Sequence, residues 1–422
     1  MNVYFSGIGG VGIGPLAEIA RDAGHTIMGS DLGESMLTEE LRQQGVNVSI
    51  GQDGSFLQSS HEATPLDWFV YTAALPETHP ELVLAKKLGI RTGKRDEFLA
   101  DFLQKHNLKL IAIAGTHGKT TTTGMAVWAF MQRGIPVSYS IGTTVSFGPS
   151  GKFDPKSEYF IYECDEYDRN FLHFNPSISL ITSVDYDHPD TYPTEQSYFD
   201  AFNQFIGQSK VVLCWKKDIN ADTISKYGIL HIADQDTRDV SFIHLAGLHN
   251  RQNAYLVFNL FVDYLGAKGE EEEIVNILSS FPGTDRRFEK LAENMYSDYG
   301  HHPEEIAATL QMARELSDNI VLVYQPHQNW RQHSIRDQYT TQFTDAQTIY
   351  WTPTYLTREN PDYAVLAPEE LTTNIINKDS IVYTELNDEL WDTVVEARNN
   401  GSLVLFMGAG TIDAWVRTQL TK

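Results

Sequence analysis

The chain has 422 residues, with 32 lysines and arginines against 56 aspartates and glutamates and a formal net charge of −24. This length exceeds what one hydrophobic core organises, so several domains are expected. The acidic excess argues against a nucleic-acid partner, which requires clustered cations, and no apolar run reaches the roughly 18 residues of a membrane span.

Cysteine usage and the N-terminal segment both indicate a reducing compartment. Cys164 and Cys214 are the two cysteines of the sequence, which is too few for a disulfide framework. The segment MNVYFSGIGG lacks the basic and long apolar regions of a signal peptide. We therefore expect a cytoplasmic protein, with no nucleic-acid or membrane partner, that is a monomer or a weak homodimer.

Strands and helices alternate over the first 107 residues, which predicts a parallel, doubly wound sheet. The predicted elements are the strands Val3 to Ser6, Thr26 to Met28 and Trp68 to Tyr71, and the helices Leu16 to Ala23, Leu37 to Gln44 and Pro80 to Leu88. Gly7, Gly9 and Gly12 follow the first strand in the pattern G-x-G-x-x-G, and Asp31 follows the second strand. This pattern predicts a pyrophosphate site for a dinucleotide or a UDP-sugar, and a second phosphate site downstream favours the UDP-sugar.

A second glycine-rich turn joins the apolar strand Leu110 to Ala114 to a helix-permitting run, Thr122 to Arg133. Its residues are Gly115, Thr116, His117, Gly118, Lys119, Thr120 and Thr121. Backbone N–H groups, a lysine and a threonine hydroxyl in this order suit a triphosphate and its Mg²⁺. The usual first glycine of a P-loop is replaced by Ile113, so a tight turn with an ordinary surface lysine stays the alternative.

Polar side chains follow two more predicted strands of the central region. Glu163 ends the strand Tyr159 to Tyr162, and His188 lies after the strand Ser179 to Thr182. Carboxyl ends of parallel strands meet at one edge of a sheet, so we expect both side chains near the P-loop and a Mg²⁺ ion. Further along, Asn250 caps a helix or contacts an adenine edge, and a paired arginine, Arg286 and Arg287, is suited to phosphate.

The residues from about 290 to 422 predict a third α/β unit. Asp298, His301 and His302 precede a predicted helix, Glu304 to Leu316. Further predicted strands are Ile320 to Tyr324, Ile349 to Trp351, Ile381 to Tyr383 and Leu403 to Phe406. The last of them runs into a third glycine-rich turn, Gly408 to Thr411.

The motifs occur in an order that is typical of one family. They are GIGGVGIG, GSDL, AGTHGKTTTT, ECDEYD, DYDHPDTYPT, GLHNRQNA, DRRF, DYGHHPEE, YQPH and MGAGTI. Over nearly its whole length the chain resembles the Mur ligases of peptidoglycan synthesis, and among them the branch that adds L-alanine to UDP-N-acetylmuramate. GTHGKTTTT together with DYGHHP is the specific part of this match.

The resemblance implies three α/β domains. They are a Rossmann-like UDP-sugar-binding domain (1–107), a central P-loop ATPase domain with a parallel sheet (108–288) and a Rossmann-like C-terminal domain for the amino acid (289–422). It also implies a cell-wall ligase that uses ATP and Mg²⁺ to join L-alanine to the lactyl carboxylate of UDP-N-acetylmuramate through an acyl phosphate.

The resemblance assigns roles to residues that match the family motifs. Implied nucleotide-binding residues are Gly115, Thr116, His117, Gly118, Lys119, Thr120, Thr121, Asn250, Arg287 and Asp298. Implied metal ligands are Thr120, Glu163 and His188. Implied substrate-binding residues are Gly9, Gly10, Gly12, Ser30, Asp31, His117, His301, His302 and Arg331, and implied catalytic residues are Lys119, His188, Arg287 and His301.

The amino-acid end of the predicted reaction is less defined. Gln328 follows QPH where alanine-adding ligases usually have arginine, and residues 355–361 depart from the usual acidic loop. A ligase for another amino acid or for a recycled peptide therefore remains open. From a different class, an NAD(P)-dependent oxidoreductase or a non-catalytic nucleotide-binding protein also remains open.

Overall fold

The computed structural model describes residues 1–72, 75–219, 230–233, 239–357 and 359–422. It divides into two compact units, residues 1–239 with 253–281 and residues 240–252 with 282–422. Among the described residues, the first unit contains two sheets and the second contains one, and the predicted α/β fold with three sheet-containing parts is confirmed. Arg358, within the segment that departs from the family pattern, lies outside the described residues.

The first sheet covers residues 2–94. Its strands are β1 (Asn2–Ser6), β2 (Thr26–Asp31), β3 (Asn47–Ile50), β4 (Trp68–Tyr71) and β5 (Arg91–Lys94), and its helices are α1 (Gly14–Asp22), α2 (Met36–Gln43), α3 (Ser55–Ala63), α4 (Pro80–Lys87) and α5 (Arg95–Lys105). The strand order is β3-β2-β1-β4-β5 and all pairs are parallel. The predicted doubly wound pattern is confirmed.

Strand β2 is longer than the sequence pattern predicts. It continues through Gly29 and Ser30 to Asp31, and Gly29 pairs with Phe5 in the parallel ladder. A Cβ atom at Gly29 would collide with the Phe5 carbonyl oxygen, so the glycine permits a close approach of strands here rather than ending one. The extension places Asp31 beside the turn that follows β1.

The second sheet covers the central region of the first unit. Its strands are β6 (Lys109–Ala114), β7 (Val137–Ser140), β8 (Gly151–Lys152), β9 (Tyr159–Glu163), β10 (Ile178–Ile181), β11 (Val212–Trp215) and β12 (Leu230–Ala233), and its helices are α6 (Lys119–Gln132), α7 (Glu195–Gln208), α8 (Leu248–Asn259) and α9 (Glu271–Ser279). The order is β12-β11-β10-β6-β9-β7-β8, with β8 antiparallel to β7. Strands β9 and β10 flank β6 in parallel, so their carboxyl ends meet beside the P-loop as predicted.

The second unit has a single six-stranded sheet. Its strands are β13 (Glu289–Ala292), β14 (Met295–Asp298), β15 (Ile320–Tyr324), β16 (Thr348–Trp351), β17 (Ile381–Tyr383) and β18 (Leu403–Met407), and its helices are α10 (Pro303–Leu316), α11 (Asn329–Ile335), α12 (Pro368–Leu371), α13 (Asp388–Asn399) and α14 (Ile412–Leu420). The order is β13-β14-β18-β15-β16-β17; β13 runs antiparallel to β14, and the other neighbouring strands in this order are parallel.

Both faces of this last sheet are covered. Along β15, Ile320, Leu322 and Tyr324 join one apolar cluster while Val321 and Val323 join another. A strand buried on both faces is the signature of a parallel sheet between helix layers. Across the part of the chain that the structure describes, every helix is too short or too polar to cross a bilayer.

Candidate active site

The P-loop, residues 115–121, connects β6 to α6 through two glycines with positive φ. Gly115 has φ 137° and Gly118 has φ 82°, conformations that favour glycine. The turn is hydrogen-bonded to the segment that follows β10, since the amides of Thr116 and His117 donate to the carbonyl and hydroxyl oxygens of Ser183, at 3.0 Å each. Helix α6 therefore begins at Lys119 with its N-terminus directed at the turn, an arrangement that suits phosphate.

Lys119 lies in a buried cluster of charged groups. Its Nζ donates to Glu166 Oε2 at 2.7 Å and to the Gly115 carbonyl oxygen at 2.5 Å. Burial alone would lower the Lys119 pKa, but Glu166, Asp165 and Glu163 outweigh it and raise the pKa. Conversely, burial favours a raised pKa for Glu166, but Lys119 and His188 hold that pKa below its usual range. The lysine is thus charged and is held at the phosphate-binding turn.

The three predicted metal ligands do not form one cluster, because Thr120 contacts Glu163 whereas His188 contacts a different carboxylate, Glu166. Thr120 Oγ1 donates to Glu163 Oε1 at 2.9 Å, while His188 Nε2 lies 3.5 Å from Glu166 Oε1. The hydroxyl and carboxylate oxygens of Thr120 and Glu163 fit Mg²⁺, which prefers oxygen and keeps water and phosphate ligands. His188 contacts the carboxylate that neutralises Lys119, and its role as a metal ligand stays a prediction. Within the described residues, no group of three His, Cys, Asp or Glu side chains is arranged to hold a metal alone.

The glycine turn, residues 7–14, is fastened to β2 in the same way. The amides of Gly7 and Ile8 donate to the Ser30 carbonyl oxygen at 2.8 and 3.0 Å, and the Gly9 amide donates to Asp31 Oδ2 at 2.8 Å. The structure therefore brings Gly9, Ser30 and Asp31 together, and their contact with a sugar nucleotide stays a prediction. The fully buried Ser30 hydroxyl points into the domain, where it donates to Glu81 Oε2 at 2.8 Å.

A cleft of about 200 Å³ lies between the glycine turn and the P-loop, inside the first unit. Its lining residues are Val11, Gly12, Arg95, Lys119, Ser140, Gly142, Tyr162, Glu163 and Asp165. The predicted anion site of the first domain and the predicted phosphate-binding lysine thus open into one space. A ligand that is held by the glycine turn would reach the P-loop without leaving this cleft.

Helix α8 adds an amide that the sequence analysis did not single out. A Cβ atom at Gly118 would lie 2.8 Å from Asn253 Nδ2, so the carboxamide packs directly on the P-loop. The predicted nucleotide contact, Asn250, lies in the first five residues of α8 (248–252), which are grouped with the second unit while the rest of the helix is grouped with the first, and its amide donates to the Ala246 carbonyl oxygen at 3.1 Å. Both residues occur in the motif GLHNRQNA. Its second asparagine, Asn253, is the sequence feature from which this contact with the P-loop could have been predicted.

The second unit assembles a cluster around His301. Arg331 Nη1 lies 2.5 Å from His301 Nε2, and Glu305 Oε2 lies 3.3 Å from His301 Nδ1. Because arginine cannot accept a hydrogen bond, this contact assigns Nε2 as the acceptor and the ring proton to Nδ1. Glu305, which was not predicted, also accepts from the backbone amides of His301 and His302.

Arg287 and Asp298 lie in the same unit. Arg287 Nη1 lies 3.6 Å from Glu305 Oε1, so Glu305 lies beside two of the predicted side chains, Arg287 and His301, and accepts from the backbone amide of a third predicted residue, His302. Asp298 is buried and accepts from the amides of Phe288 and Gly300 at 2.7 Å each. Burial raises the pKa of Asp298 to about 6, although Arg287 and the two amides lower it in part. Its contact with a nucleotide remains a prediction.

Three family models match successive parts of the chain. They are described as Mur ligase family, catalytic domain (residues 2–107), Mur ligase middle domain (113–261) and Mur ligase, glutamate ligase domain (286–410). The first and third sheets lie within the first and third matches, and the second sheet lies within the middle-domain match except for the first four residues of β6, 109–112.

Curated relatives match the chain from end to end. Proteins named UDP-N-acetylmuramate--L-alanine ligase from Caldicellulosiruptor saccharolyticus and Caldicellulosiruptor bescii are 30% and 31% identical, over 100% of this chain and 99% of theirs. The crystal structure of UDP-N-acetylmuramate-alanine ligase from Thermotoga maritima aligns over 100% of both chains with a TM-score of 0.78 and 24% identity. A murein peptide ligase from Psychrobacter arcticus aligns over 100% and 98%, with a TM-score of 0.67 and 22% identity. The chain therefore belongs to the Mur ligase family.

Proposed function

We propose that this protein is an ATP-dependent ligase that joins L-alanine to the lactyl carboxylate of UDP-N-acetylmuramate in the cytoplasm, as a monomer or weak homodimer. The curated relatives that match its whole length carry the name of this activity. The observation that carries the proposal is the shared cleft, in which Gly12 of the glycine turn and Lys119 of the P-loop line one space. An oxidoreductase would need no P-loop lysine there.

The cleft is suited to a reaction between two anions. A carboxylate and a triphosphate repel each other, so their reaction requires cations at the point of contact. Lys119 supplies one positive charge, and its ion pair with Glu166 keeps the ammonium group at the P-loop before ATP binds. We propose that its ammonium group moves onto the β- and γ-phosphate oxygens when ATP binds, where it stabilises the charge of the phosphoryl group in transfer.

Carboxylates outnumber cations in this part of the cleft. Glu163, Asp165 and Glu166 lie near Lys119 and contribute to its raised pKa. We propose that Thr120 and Glu163 hold a Mg²⁺ ion, which supplies positive charge and orients phosphate oxygens when bound. The paired oxygens of the two side chains, at 2.9 Å, support this assignment.

The chemistry proceeds in two steps. The lactyl carboxylate oxygen attacks the γ-phosphorus and releases ADP, which gives an acyl phosphate. The neutral amine of alanine then attacks the acyl carbon, and phosphate leaves from the tetrahedral oxyanion. The amine loses a proton in this step, and a neutral histidine with an available ring nitrogen is the appropriate acceptor.

His301 is the candidate for that acceptor in the second unit. Its neutral tautomer, with the proton on Nδ1 held toward Glu305, leaves Nε2 as the basic atom. Arg331, which contacts Nε2, is suited to the carboxylate of the incoming amino acid. We propose that binding of this carboxylate draws the Arg331 guanidinium from Nε2 and frees the nitrogen lone pair for the amine proton.

Phosphate release from ATP tests the function. The assay contains UDP-N-acetylmuramate with each amino acid in turn, and in parallel with the tripeptide of the peptidoglycan stem. Release that requires the sugar nucleotide and is fastest with L-alanine is the expected result. Fastest release with the tripeptide would assign the chain to peptide recycling instead. Failure of every acceptor to stimulate release would contradict a ligase function.

A further inference from the structure

The guanidinium of Arg95 occupies a position that the proposed mechanism does not use. Arg95 is the first residue of α5 and lines the cleft between the glycine turn and the P-loop. A Cβ atom at Gly12 would collide with Arg95 Nη1, so the guanidinium lies against the backbone of the glycine turn. The turn itself, residues 7–14, contains no lysine or arginine.

Two carboxylates hold this guanidinium in one orientation. Arg95 Nε donates to Asp96 Oδ2 at 3.2 Å, and Arg95 Nη2 donates to Asp165 Oδ2 at 3.1 Å. Asp96 is buried and is itself fixed by the Tyr162 hydroxyl, which donates to its Oδ1 at 2.8 Å. A planar guanidinium that is bound along two edges presents its remaining Nη1 edge in a fixed direction, here toward Gly12 and the cleft.

The second carboxylate belongs to the segment that carries the P-loop partners. Asp165 lies between Glu163, the partner of Thr120, and Glu166, the partner of Lys119. The arginine therefore connects the glycine turn of the first sheet to the acidic segment of the second sheet, residues 163–166. Both ends of this connection lie in the same compact unit.

We propose that Arg95 binds the diphosphate of the sugar nucleotide through Nη1 and simultaneously positions the acidic segment through Asp165. It is then a substrate-binding residue for the first site and a positioning residue for the second. Binding of the sugar nucleotide would order the carboxylates that serve ATP and Mg²⁺. The inference rests on the proposed function, because it takes the diphosphate of a UDP-sugar as the ligand of the glycine turn.

The neighbouring residue offers a matched control. Lys94 ends β5 and its Nζ donates to Asp168 Oδ2 at 2.7 Å, so it also joins the first sheet to the segment after β9. This pair is half-exposed and does not line the cleft. Lys94→Gln therefore removes a cation and a comparable bridge without removing a group that faces the ligand.

Calorimetric titration with UDP and with UDP-N-acetylmuramate tests the first role. We expect Arg95→Gln to weaken both affinities by about tenfold or more, the usual effect of losing a charge-assisted phosphate contact. Arg95→Lys should recover part of the loss, and Lys94→Gln should bind as the wild type does. Thermal unfolding of each variant shows whether the fold persists. If Arg95→Gln does not fold, the affinities of Arg95→Lys, which keeps the charge, are compared with those of the wild type instead.

The Mg²⁺ concentration for half-maximal turnover tests the second role. Arg95→Gln and Asp165→Asn should both raise it several-fold, whereas Asp165→Asn should lose less UDP affinity than Arg95→Gln, because the guanidinium remains and the asparagine oxygen still accepts from Nη2. Wild-type UDP affinity in Arg95→Gln, or an unchanged Mg²⁺ requirement in both variants, would overturn the inference while leaving the ligase proposal intact. A wild-type protein that binds no UDP-N-acetylmuramate would overturn both.

Discussion

The first unit contains two glycine-rich turns of the same construction. The glycine turn follows β1 and is hydrogen-bonded to the end of β2. The P-loop follows β6 and is hydrogen-bonded to the segment after β10. Each leads into a helix, α1 or α6, whose N-terminus is suited to an anion. They differ in their cation, because the P-loop supplies Lys119 from its own sequence whereas the glycine turn receives Arg95 from α5.

This difference matches two kinds of anion site. A lysine within the turn has a flexible side chain that can follow a phosphoryl group in transfer, whereas an arginine fixed by two carboxylates is better suited to hold an unreactive diphosphate. The P-loop is therefore suited to phosphoryl transfer, and the glycine turn is suited to holding the sugar nucleotide in position. Substitutions in the P-loop should act on turnover, and substitutions around the glycine turn should act on binding of the sugar nucleotide.

Lys119→Ala should have the largest effect. We expect turnover to fall by about 10³-fold or more, because the variant loses the cation that stabilises the transferred phosphoryl group. Binding of UDP-N-acetylmuramate, measured by calorimetry, should stay within about twofold of the wild type. Lys109→Ala is the control, since Lys109 precedes the P-loop in β6 and forms an exposed pair with Glu158. Equal loss of sugar-nucleotide binding in Lys119→Ala would show that the two turns do not act separately.

Glu163→Gln should have the next largest effect. The variant keeps an oxygen near Thr120 but loses the negative charge that we assign to Mg²⁺. We expect turnover to fall by roughly 10²-fold at low Mg²⁺ and to recover in part at high Mg²⁺. The control is Glu158→Gln, just before β9 in the sequence. A variant whose deficit is the same at every Mg²⁺ concentration would remove Glu163 from the metal site.

Gly12→Ala should have a smaller effect, and on binding alone. The added methyl group would meet the Arg95 guanidinium and displace it from the glycine turn. We expect KM for UDP-N-acetylmuramate to rise by about tenfold, equivalent to about 1.4 kcal/mol, with kcat within about twofold. Gly33→Ala is the control, because a Cβ atom at Gly33 meets open space. A fall in kcat without a change in KM would contradict the division between the turns.

Local patterns predicted the fold well. The strand–turn–helix units around Gly7 and Gly115 depend on short-range spacing, and both formed as predicted. Strand β2 was predicted too short, because a glycine was interpreted as an ending when it serves close pairing with β1. A glycine can either end a strand or allow two strands to pair closely, and which of these applies depends on the neighbouring strand.

Contacts between residues that are far apart in the sequence were the part of the site that could not be predicted from the sequence. Glu166 was visible in the motif ECDEYD, but its importance comes from an ion pair with Lys119, 47 residues away. Arg95 belongs to no glycine-rich motif, and it joins the site through Asp165, 70 residues away. Such pairs depend on strand order, which fixes the neighbours of β6, and no periodicity in one sequence reveals that order.

Glu18→Gln should have the smallest effect on turnover and instead alter stability. Glu18 lies on α1, behind the glycine turn, and its Oε2 accepts from the Gly151 amide at 2.9 Å. Burial raises the pKa of Glu18 from 4.5 to about 7, although the Gly151 amide and Arg21 lower it in part. The folded state therefore binds a proton that the unfolded state releases between these values, so Glu18 makes the protein less stable as the pH rises from about 4.5 to about 7.

The glutamine variant keeps the acceptor for Gly151 and cannot ionise. At pH 8 we expect it to be more stable than the wild type by up to about 3 kcal/mol, the equivalent of the pKa difference, and near pH 4.5 the two should be similar. Denaturant unfolding at both pH values measures this, with the exposed Glu39→Gln on α2 as control. A stability difference that does not change with pH would mean that Glu18 stays ionised in the folded protein. The glycine turn would then be supported from behind by a buried charge, as the P-loop is by Glu166.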